Sequence, residues 1–128
     1  MSTEPVDEAS VQALFEQAGV IRVQTLAQLF DTALLLAYQP LPTGPRVAVV
    51  SNSTALGMLV TDALHDEGLR PAGPPLDVGT AATPEKFADA VSSAAHAPDS
   101  DALVAVFVPP VATPGAEYAR AFAQRWPK

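Results

Sequence analysis

The 128-residue chain contains no cysteine, which excludes a disulfide framework and thiolate chemistry. Basic residues are also scarce: seven Lys and Arg stand against fourteen Asp and Glu, and the formal net charge is −7. A charge of that sign argues against nucleic-acid and anionic-membrane partners. No apolar run approaches the ~20 residues of a membrane-spanning helix, and the acidic N-terminus does not resemble a signal peptide. These absences predict a cytoplasmic protein with no membrane or nucleic-acid partner.

Nucleotide-binding motifs are missing as well. The chain has neither Gly-x-x-x-x-Gly-Lys-Ser/Thr nor Gly-x-Gly-x-x-Gly, so it is not a P-loop or dinucleotide-binding protein. His65 is flanked by acidic residues on the polar half of a predicted helix, where a solvated face is more common than a metal site. Neither His65 nor His96 has a partner at a spacing typical of a nucleophile and base. The sequence therefore indicates no catalytic residue and no metal site.

The most informative segment is residues 46–68. Val47 to Val50 has the length and β-branching of a buried parallel strand. Small polar residues follow, and apolar residues then recur at helical spacing up to Gly68, a typical helix end. A tight strand-to-helix turn gathers free backbone N–H groups at the positive end of the helix dipole, which suits phosphate. The alternative is an ordinary helix that follows the strand and is capped by Ser53 or Asn52.

Helical and strand patterns alternate along the rest of the chain. Four helices are predicted: residues 11–18, residues 26–37 after a capping box at Thr25, one helix that begins at Thr83 and one that begins at Thr113. The predicted strands are residues 76–78 and 102–108. Residues 70–75 are predicted to be a connection rich in proline and glycine. The strand 102–108 is apolar throughout, so we expect it to be central and covered on both faces. The pattern predicts an α/β domain, with a parallel sheet and helices on both faces.

Loops at the carboxyl ends of parallel strands meet at one edge of the sheet, where ligands bind. The polar, glycine and proline residues predicted at this edge are Asn52, Ser53, Thr54, Gly79, Thr80, Thr83, Pro109, Pro110 and Thr113. Asp77, at the end of the short strand, is suited to orient a loop or a polar ligand there. A carboxylate that only caps a turn is the alternative.

Several segments, taken in order, match the pattern of one family. They are Val20-Ile-Arg-Val, 26–37 ending in Gln39-Pro-Leu-Pro, Gly44-Pro-Arg-Val-Ala-Val-Val, Ser51-Asn-Ser-Thr-Ala-Leu-Gly, Pro75-Leu-Asp-Val with Ala82-Thr-Pro-Glu, and 101–115. This pattern resembles the flavodoxin-like CoA-ligase domain of NDP-forming acyl-CoA synthetases. Those enzymes are similar to succinyl-CoA synthetase, and some bacterial members are fused to a GNAT acetyltransferase domain. The resemblance implies a flavodoxin-like domain over residues 10–128, behind a flexible lead-in of residues 1–9.

The resemblance also implies a role. The phosphorylated histidine, the ATP-grasp domain and the main CoA-binding domain lie elsewhere, in cis or in trans, and this domain lends a helix N-terminus to the phosphohistidine. The residues implied to bind phosphate are Asn52, Ser53, Thr54, Ala55, Leu56 and Gly57. The family's loop is usually richer in glycine, and only Gly57 is kept here. No cofactor is expected to bind tightly; phosphate and CoA-system ligands belong to the assembled enzyme. We expect Gly57→Asp to fold and to weaken a bound phosphate.

The sequence differs from the pattern of this family at the C-terminus. The family has a further strand after its last helix, whereas this sequence stops at Trp126-Pro-Lys. Either the chain is a piece of a longer protein or its sheet is one strand short. With no histidine donor and no ATP-grasp element, we do not expect it to run the ligase reaction alone. Two other functions stay open: a flavodoxin-like module that binds FMN or another small ligand, and a scaffold domain with a vestigial site.

Overall fold

The computed structural model describes residues 7–109 and 115–125. The chain divides into two compact units, Met1–Leu41 and Pro42–Lys128. The sequence placed the end of a flexible lead-in at residue 9. Residues 1–6 lie outside the described part, and Glu8 is already helical, so the position of that boundary stays a prediction.

The first unit contains two helices, α1 (Glu8–Gln17) and α2 (Leu26–Tyr38), as the sequence predicted. The capping box before α2 is present: Thr25 Oγ1 accepts a hydrogen bond from the Gln28 N–H at 3.1 Å, and Gln28 Oε1 accepts one from the Thr25 N–H at 3.1 Å. This reciprocal pair satisfies two backbone donors that the first turn would otherwise leave without a partner. Neither helix contains a fully buried residue.

The second unit is a parallel α/β domain. Its elements are β1 (Arg46–Ser51), α3 (Thr54–Asp66), β2 (Arg70–Pro71), β3 (Leu76–Asp77), α4 (Pro84–Ala95), β4 (Ala102–Val106) and α5 (Gly115–Arg125). All three strand pairs are parallel: β1 is central, β4 pairs with one side of it, and β2 and β3 share the other side. The predicted fold class is confirmed. The start that the sequence assigned to the last helix, Thr113-Pro114, lies outside the described residues.

Strand β2 was predicted as a connection, and that prediction is wrong. The reason is Pro71, which argues against a strand because it has no N–H to donate. In the structure the Arg70 N–H donates to Pro45 O and the Ala72 N–H donates to Val47 O, both at 2.9 Å. The ladder uses the residues on either side of Pro71, so the missing donor costs no hydrogen bond.

Strand β4 was expected to be central and covered on both faces. The central position is wrong for the described residues, whereas Leu103 packs against the core on one face of the sheet and Ala102 and Val104 pack against the core on the other. Strand β4 pairs with β1 alone, its residues are half-buried, and Ala105 is exposed. An apolar run predicts a strand that packs against apolar neighbours. It does not report how many strands pair with it.

The core lies on both faces of β1. Val47 and Val49 pack with Leu64 of α3 on one face. Val50 points to the other face, where the buried side chains are Phe87 and Val91 of α4 and Tyr118 of α5. Because successive strand residues point to opposite faces, one short apolar strand serves both helix layers. The predicted arrangement, helices on both faces, is confirmed.

An ion pair joins Arg46, the first residue of β1, to Asp101, the residue directly before β4. Asp101, whose side chain is 8% exposed, accepts hydrogen bonds from Arg46 Nε at 2.9 Å, Arg46 Nη2 at 2.8 Å and the Arg46 N–H at 2.9 Å. The hydrogen bonds from the Arg46 side chain, and then from its backbone, lower the pKa of Asp101 from 3.8 to about 2. A carboxylate this well bonded favours its ionised form.

Asp101→Asn is expected to lower stability in a pH-dependent way. Because the pKa of Asp101 is lowered in the folded state, its ionised form stabilises the fold above pH 3.8, and this contribution is lost as the pH falls towards 2. Urea unfolding from pH 2 to pH 6 should give curves for wild type and variant that separate as the pH rises. Asp62→Asn, at an exposed position on α3, is the control and should separate little. A constant difference at every pH would contradict the assignment.

Candidate functional site

The loop between β1 and α3 is shaped by Ser51, the last residue of the strand. Its fully buried hydroxyl donates to Ser53 O at 2.9 Å and accepts from the Ser53 N–H at 3.0 Å. Ser53 is the N-cap residue, one of the two that the sequence offered, but its own side chain makes no capping hydrogen bond. A role for Ser51 in shaping this loop was not predicted. A small polar residue at the end of an apolar strand was the available signal.

Three backbone donors at the start of α3 are free among the described residues. The first bond of the helix runs from the Gly57 N–H to Ser53 O at 2.9 Å, and the Ser53 N–H is held by Ser51. The N–H groups of Thr54, Ala55 and Leu56 therefore lie ahead of that bond with no recorded acceptor in the described ranges. They stand at the positive end of the helix dipole. Of the six residues that the sequence offered for phosphate, these three carry the available donors, and phosphate binding itself stays a prediction.

Asn52 is committed elsewhere. Its side chain is 2% exposed; Nδ2 donates to Val108 O and Oδ1 accepts from the Val108 N–H, each at 2.8 Å. The Asn52 side chain thus binds the backbone of Val108, after β4, and its amide group is not free to bind an anion. The two residues are 56 positions apart, so no local pattern shows the contact.

Gly57 allows α3 to approach the sheet closely. A Cβ atom added at this buried position would lie 3.1 Å from Pro75 Cβ and 3.5 Å from Ser51 Cβ. Its N–H is already used inside the helix. The expectation that Gly57→Asp folds normally therefore conflicts with the geometry, because the new side chain would meet the proline ring.

Asp77 links the start of α3 to the loop after β3. Its carboxylate accepts hydrogen bonds from the Thr54 hydroxyl and, at 2.8 Å, from the Gly79 N–H. Gly79 has a φ of +83°, a conformation that glycine adopts without strain. The Thr54 hydroxyl first, and the Gly79 N–H second, lower the pKa of Asp77. This is the geometry expected of a loop-orienting carboxylate. A contact of Asp77 with a ligand stays a prediction.

The loop between β3 and α4 is also bonded to both of the helices that follow it. Thr83 caps α4 by accepting from the Lys86 N–H at 3.3 Å, and Lys86 Nζ donates to Val78 O at 3.4 Å. The buried hydroxyl of Tyr118 donates to Ala82 O at 2.6 Å, which joins this loop to α5. Lys86, whose amine lies beside the β3–α4 loop, was not among the predicted site residues. Pro110 and Thr113 lie outside the described residues.

An open cavity of about 360 Å³ lies between β4, α4 and α5. Its lining is apolar except for Tyr118, whose hydroxyl already binds Ala82 O: Phe87, Ala105, Phe107, Gly115, Tyr118, Ala119 and Phe122. Within the ranges 7–109 and 115–125, no three His, Asp or Glu side chains lie close enough to hold a metal ion. None of the helices described in those ranges is long and apolar enough to span a membrane.

Comparisons with known proteins point to one group of enzymes. No protein-family model matches the chain. A stretch of 57 residues is 40% identical to subunit alpha of acetate–CoA ligase (ADP-forming) I of Pyrococcus furiosus, and covers 44% of this chain and 12% of that protein. A stretch of 51 residues is 43% identical to 4-hydroxybutyrate–CoA ligase (ADP-forming) of Nitrosopumilus maritimus, and covers 40% of this chain and 7% of that protein.

The fold has a close structural match. It superposes with a TM-score of 0.83 on dinucleotide-forming acetyl-coenzyme A synthetase 1 of Ca. Korarchaeum cryptofilum, solved with phosphate and ADP. That match covers 93% of this chain and 30% of the other at 22% identity, so it shows the shared α/β fold alone. This chain therefore spans only a small part of the proteins it resembles.

Proposed function

We propose that this chain is a non-catalytic domain of an NDP-forming acyl-CoA synthetase system, in which it presents the N-terminus of α3 to the phosphohistidine of a partner domain. The sequence similarity to two ADP-forming CoA ligases supports the system. The partners are the ATP-grasp and CoA-binding domains, supplied in cis or in trans in the cytoplasm. A fused GNAT acetyltransferase domain, as in some bacterial proteins that the sequence resembles, is one form of the cis arrangement.

The observation that carries the proposal is the set of three free N–H groups at Thr54, Ala55 and Leu56. The dipole of the 13-residue helix α3 favours an anion at this end by about 0.3–1 kcal/mol. A phosphoryl group has enough acceptor oxygens for all three donors, and bonds to a charged acceptor are the stronger kind. Thr54 and Ala55 are exposed, so a group on another domain has access to them.

Asp77 tunes this end of the helix. Its carboxylate holds the Thr54 hydroxyl, so the backbone N–H of Thr54, and not its side chain, is left for an anion. The negative charge of Asp77 also offsets the positive potential at the N-terminus of α3 and repels an incoming anion. We infer that a free phosphate ion binds weakly here and that the partner domain supplies most of the binding energy for a phosphohistidine.

The structure gives less support to the flavin alternative. A flavin needs polar groups for its phosphate and an apolar surface for its ring at the same place. The free donors lie at the start of α3, whereas the cavity is lined by apolar groups of β4, α4 and α5. The scaffold alternative differs from our proposal only in whether the three N–H groups bind an anion.

Ala55→Asp tests the proposal. The position is exposed and lies in the first turn, so the new carboxylate suits the helix dipole, and the variant should fold. The same carboxylate lies at the anion site and repels phosphate. We therefore expect the affinity for inorganic phosphate to fall at least about tenfold, which corresponds to ~1.4 kcal/mol. Phosphate titration followed by the amide shifts of residues 54–56 measures the effect.

The matched control is Ala63→Asp. It adds the same charge at an exposed position about 12 Å further along α3, from the 1.5 Å rise per residue, and should bind phosphate nearly as wild type does. Wild-type amides 54–56 that stay unmoved while amides elsewhere respond would contradict the site. With the partner domains supplied, phosphohistidine and thioester levels should fall in Ala55→Asp and not in Ala63→Asp. Turnover by the isolated chain would contradict the non-catalytic role.

A further inference from the structure

Asn52 holds the backbone of Val108 at both of its polar groups. The residue directly precedes the N-cap of α3, and its two hydrogen bonds to Val108 are both 2.8 Å long. Asn52 is 2% exposed, whereas the Val108 side chain is 45% exposed. A buried side chain therefore fixes Val108 through the backbone of that residue, and the contact does not bury the Val108 side chain.

Pro109, the last described residue of the loop after β4, also approaches the first residue of α5. Pro109 follows Val108, and a Cβ atom added to Gly115 would lie 3.6 Å from Pro109 Cγ. Val108 and Pro109 thus lie between Asn52, next to the start of α3, and Gly115, the first residue of α5. The Phe107 ring is held separately by its packing against Phe87 and Tyr118. The placement of Val108 and Pro109 depends on Asn52, because its side chain binds both the N–H and the carbonyl of Val108.

We propose that Asn52 is a positioning residue that sets Val108 and Pro109, in the loop after β4, as one wall of the phosphoryl site at the start of α3. The proposal rests on the proposed function, since it assigns a role at the same site. Asn52 itself does not touch the anion. It acts through Val108: the loop stays beside the free N–H groups of Thr54 to Leu56 only while both hydrogen bonds are made.

The role requires a short, uncharged side chain that both donates and accepts. Leucine has a similar size but can do neither. In the Asn52→Asp variant, an ionised carboxylate would accept from the Val108 N–H and face the Val108 carbonyl without a donor, which is unfavourable for two oxygen atoms at hydrogen-bond distance. The protonated carboxyl group of the same variant has an O–H and a carbonyl oxygen and restores both bonds. Asn52→Asp should therefore convert a permanent contact into one that depends on pH.

The experiment compares wild type, Asn52→Asp and Asn52→Leu at pH 5 and pH 8, with sulfate as the probe because it is a dianion at both values. The measurements are hydrogen exchange at the Val108 N–H, corrected for the intrinsic rate, and sulfate affinity from the Ala55 amide shift. At pH 8 we expect roughly tenfold faster exchange and several-fold weaker sulfate binding in Asn52→Asp. At pH 5 both values should move back towards wild type, whereas Asn52→Leu should stay impaired at both values.

Wild type measured at both pH values is the control for other charged groups. The charged groups on the neighbouring elements are Asp77 on β3, whose pKa is lowered, Lys86 on α4 and Glu117 in the first turn of α5. His65 and His96 lie towards the C-terminal ends of α3 and α4. A pH effect that arises from any of these groups would appear in wild type as well, and it would then be subtracted.

A second measurement needs no variant. If the loop placement favours sulfate, then sulfate must favour the loop placement by the same factor, so saturating sulfate should slow Val108 exchange in wild type. Two results would overturn the role of Asn52. One is an Asn52→Asp variant that binds sulfate at pH 8 as tightly as wild type does; the other is a wild-type Val108 N–H whose exchange rate does not change when sulfate is bound. Wild type without any sulfate response at Ala55 would instead overturn the proposed function, and this inference with it.

Discussion

Val50→Asp is expected to abolish folding of the second unit. Val50 is completely buried on the central strand, between β3 and β4 and against Phe87 and Val91. A carboxylate there has no cation or donor to pair with in the described core, and an uncompensated buried charge costs about 3–5 kcal/mol. Loss of the valine side chain from the core adds roughly 1.5–3 kcal/mol. The sum approaches the whole stability of a typical domain, which is about 5–15 kcal/mol.

Ala105→Asp is the matched control for this prediction. Ala105 is the register neighbour of Val50 on β4, yet it is exposed, so its carboxylate keeps contact with water. Circular dichroism and the dispersion of amide shifts should show an unfolded Val50→Asp and a folded Ala105→Asp. A Val50→Asp variant with the thermal midpoint of wild type would mean that β1 is not the centre of the sheet.

Gly57→Asp should have the second-largest effect, through packing and not through the anion site. The new side chain would begin 3.1 Å from Pro75 Cβ and would place a carboxylate where α3 meets the sheet. Overpacking alone costs about 1–3 kcal/mol, and the buried charge adds to it. Ala55→Asp carries the same carboxylate two residues earlier at an exposed position, so it should retain its stability in urea unfolding.

A double mutant separates crowding from charge. Gly57→Ala keeps the crowding and adds no charge; better helix propensity offsets up to about 1 kcal/mol of the cost. In a Pro75→Gly background the crowding atom is gone, so Gly57→Ala should become neutral or stabilising there. Equal effects of Gly57→Ala in both backgrounds would show that the contact with Pro75 is not the cause.

The elements predicted from the sequence are those whose signals are local. The apolar run at Val47, the capping box at Thr25 and the glycine stop at Gly68 each involve neighbouring residues, and the structure has all three. Strand β2 was not predicted because a proline argues against a strand when the pattern of that segment is considered alone. The position of β4 in the sheet depends on which strands pair with it, which its own composition does not encode.

The position of the candidate site in the fold was predicted from the sequence, but the contacts between its residues were not. The start of α3 was found because a strand followed by polar residues and a helix is a local pattern. The partners of Asn52 and Arg46 were not found, because they lie 56 and 55 residues away. Gly57 was interpreted through its closeness to phosphate. Its real constraint is the Pro75 ring, and only the packing of α3 on the sheet reveals it.

Two of these long-range contacts lie at opposite ends of the same strand pair. Arg46 with Asp101 joins the beginnings of β1 and β4, and Asn52 with Val108 joins the residues just beyond their ends. A shift of β4 by one residue would exchange the faces of its side chains. It would also break both contacts and leave a buried amide without partners. Polar groups thus specify the register of this pair from both ends, and the apolar residues between them are free to vary in shape without promoting mispairing.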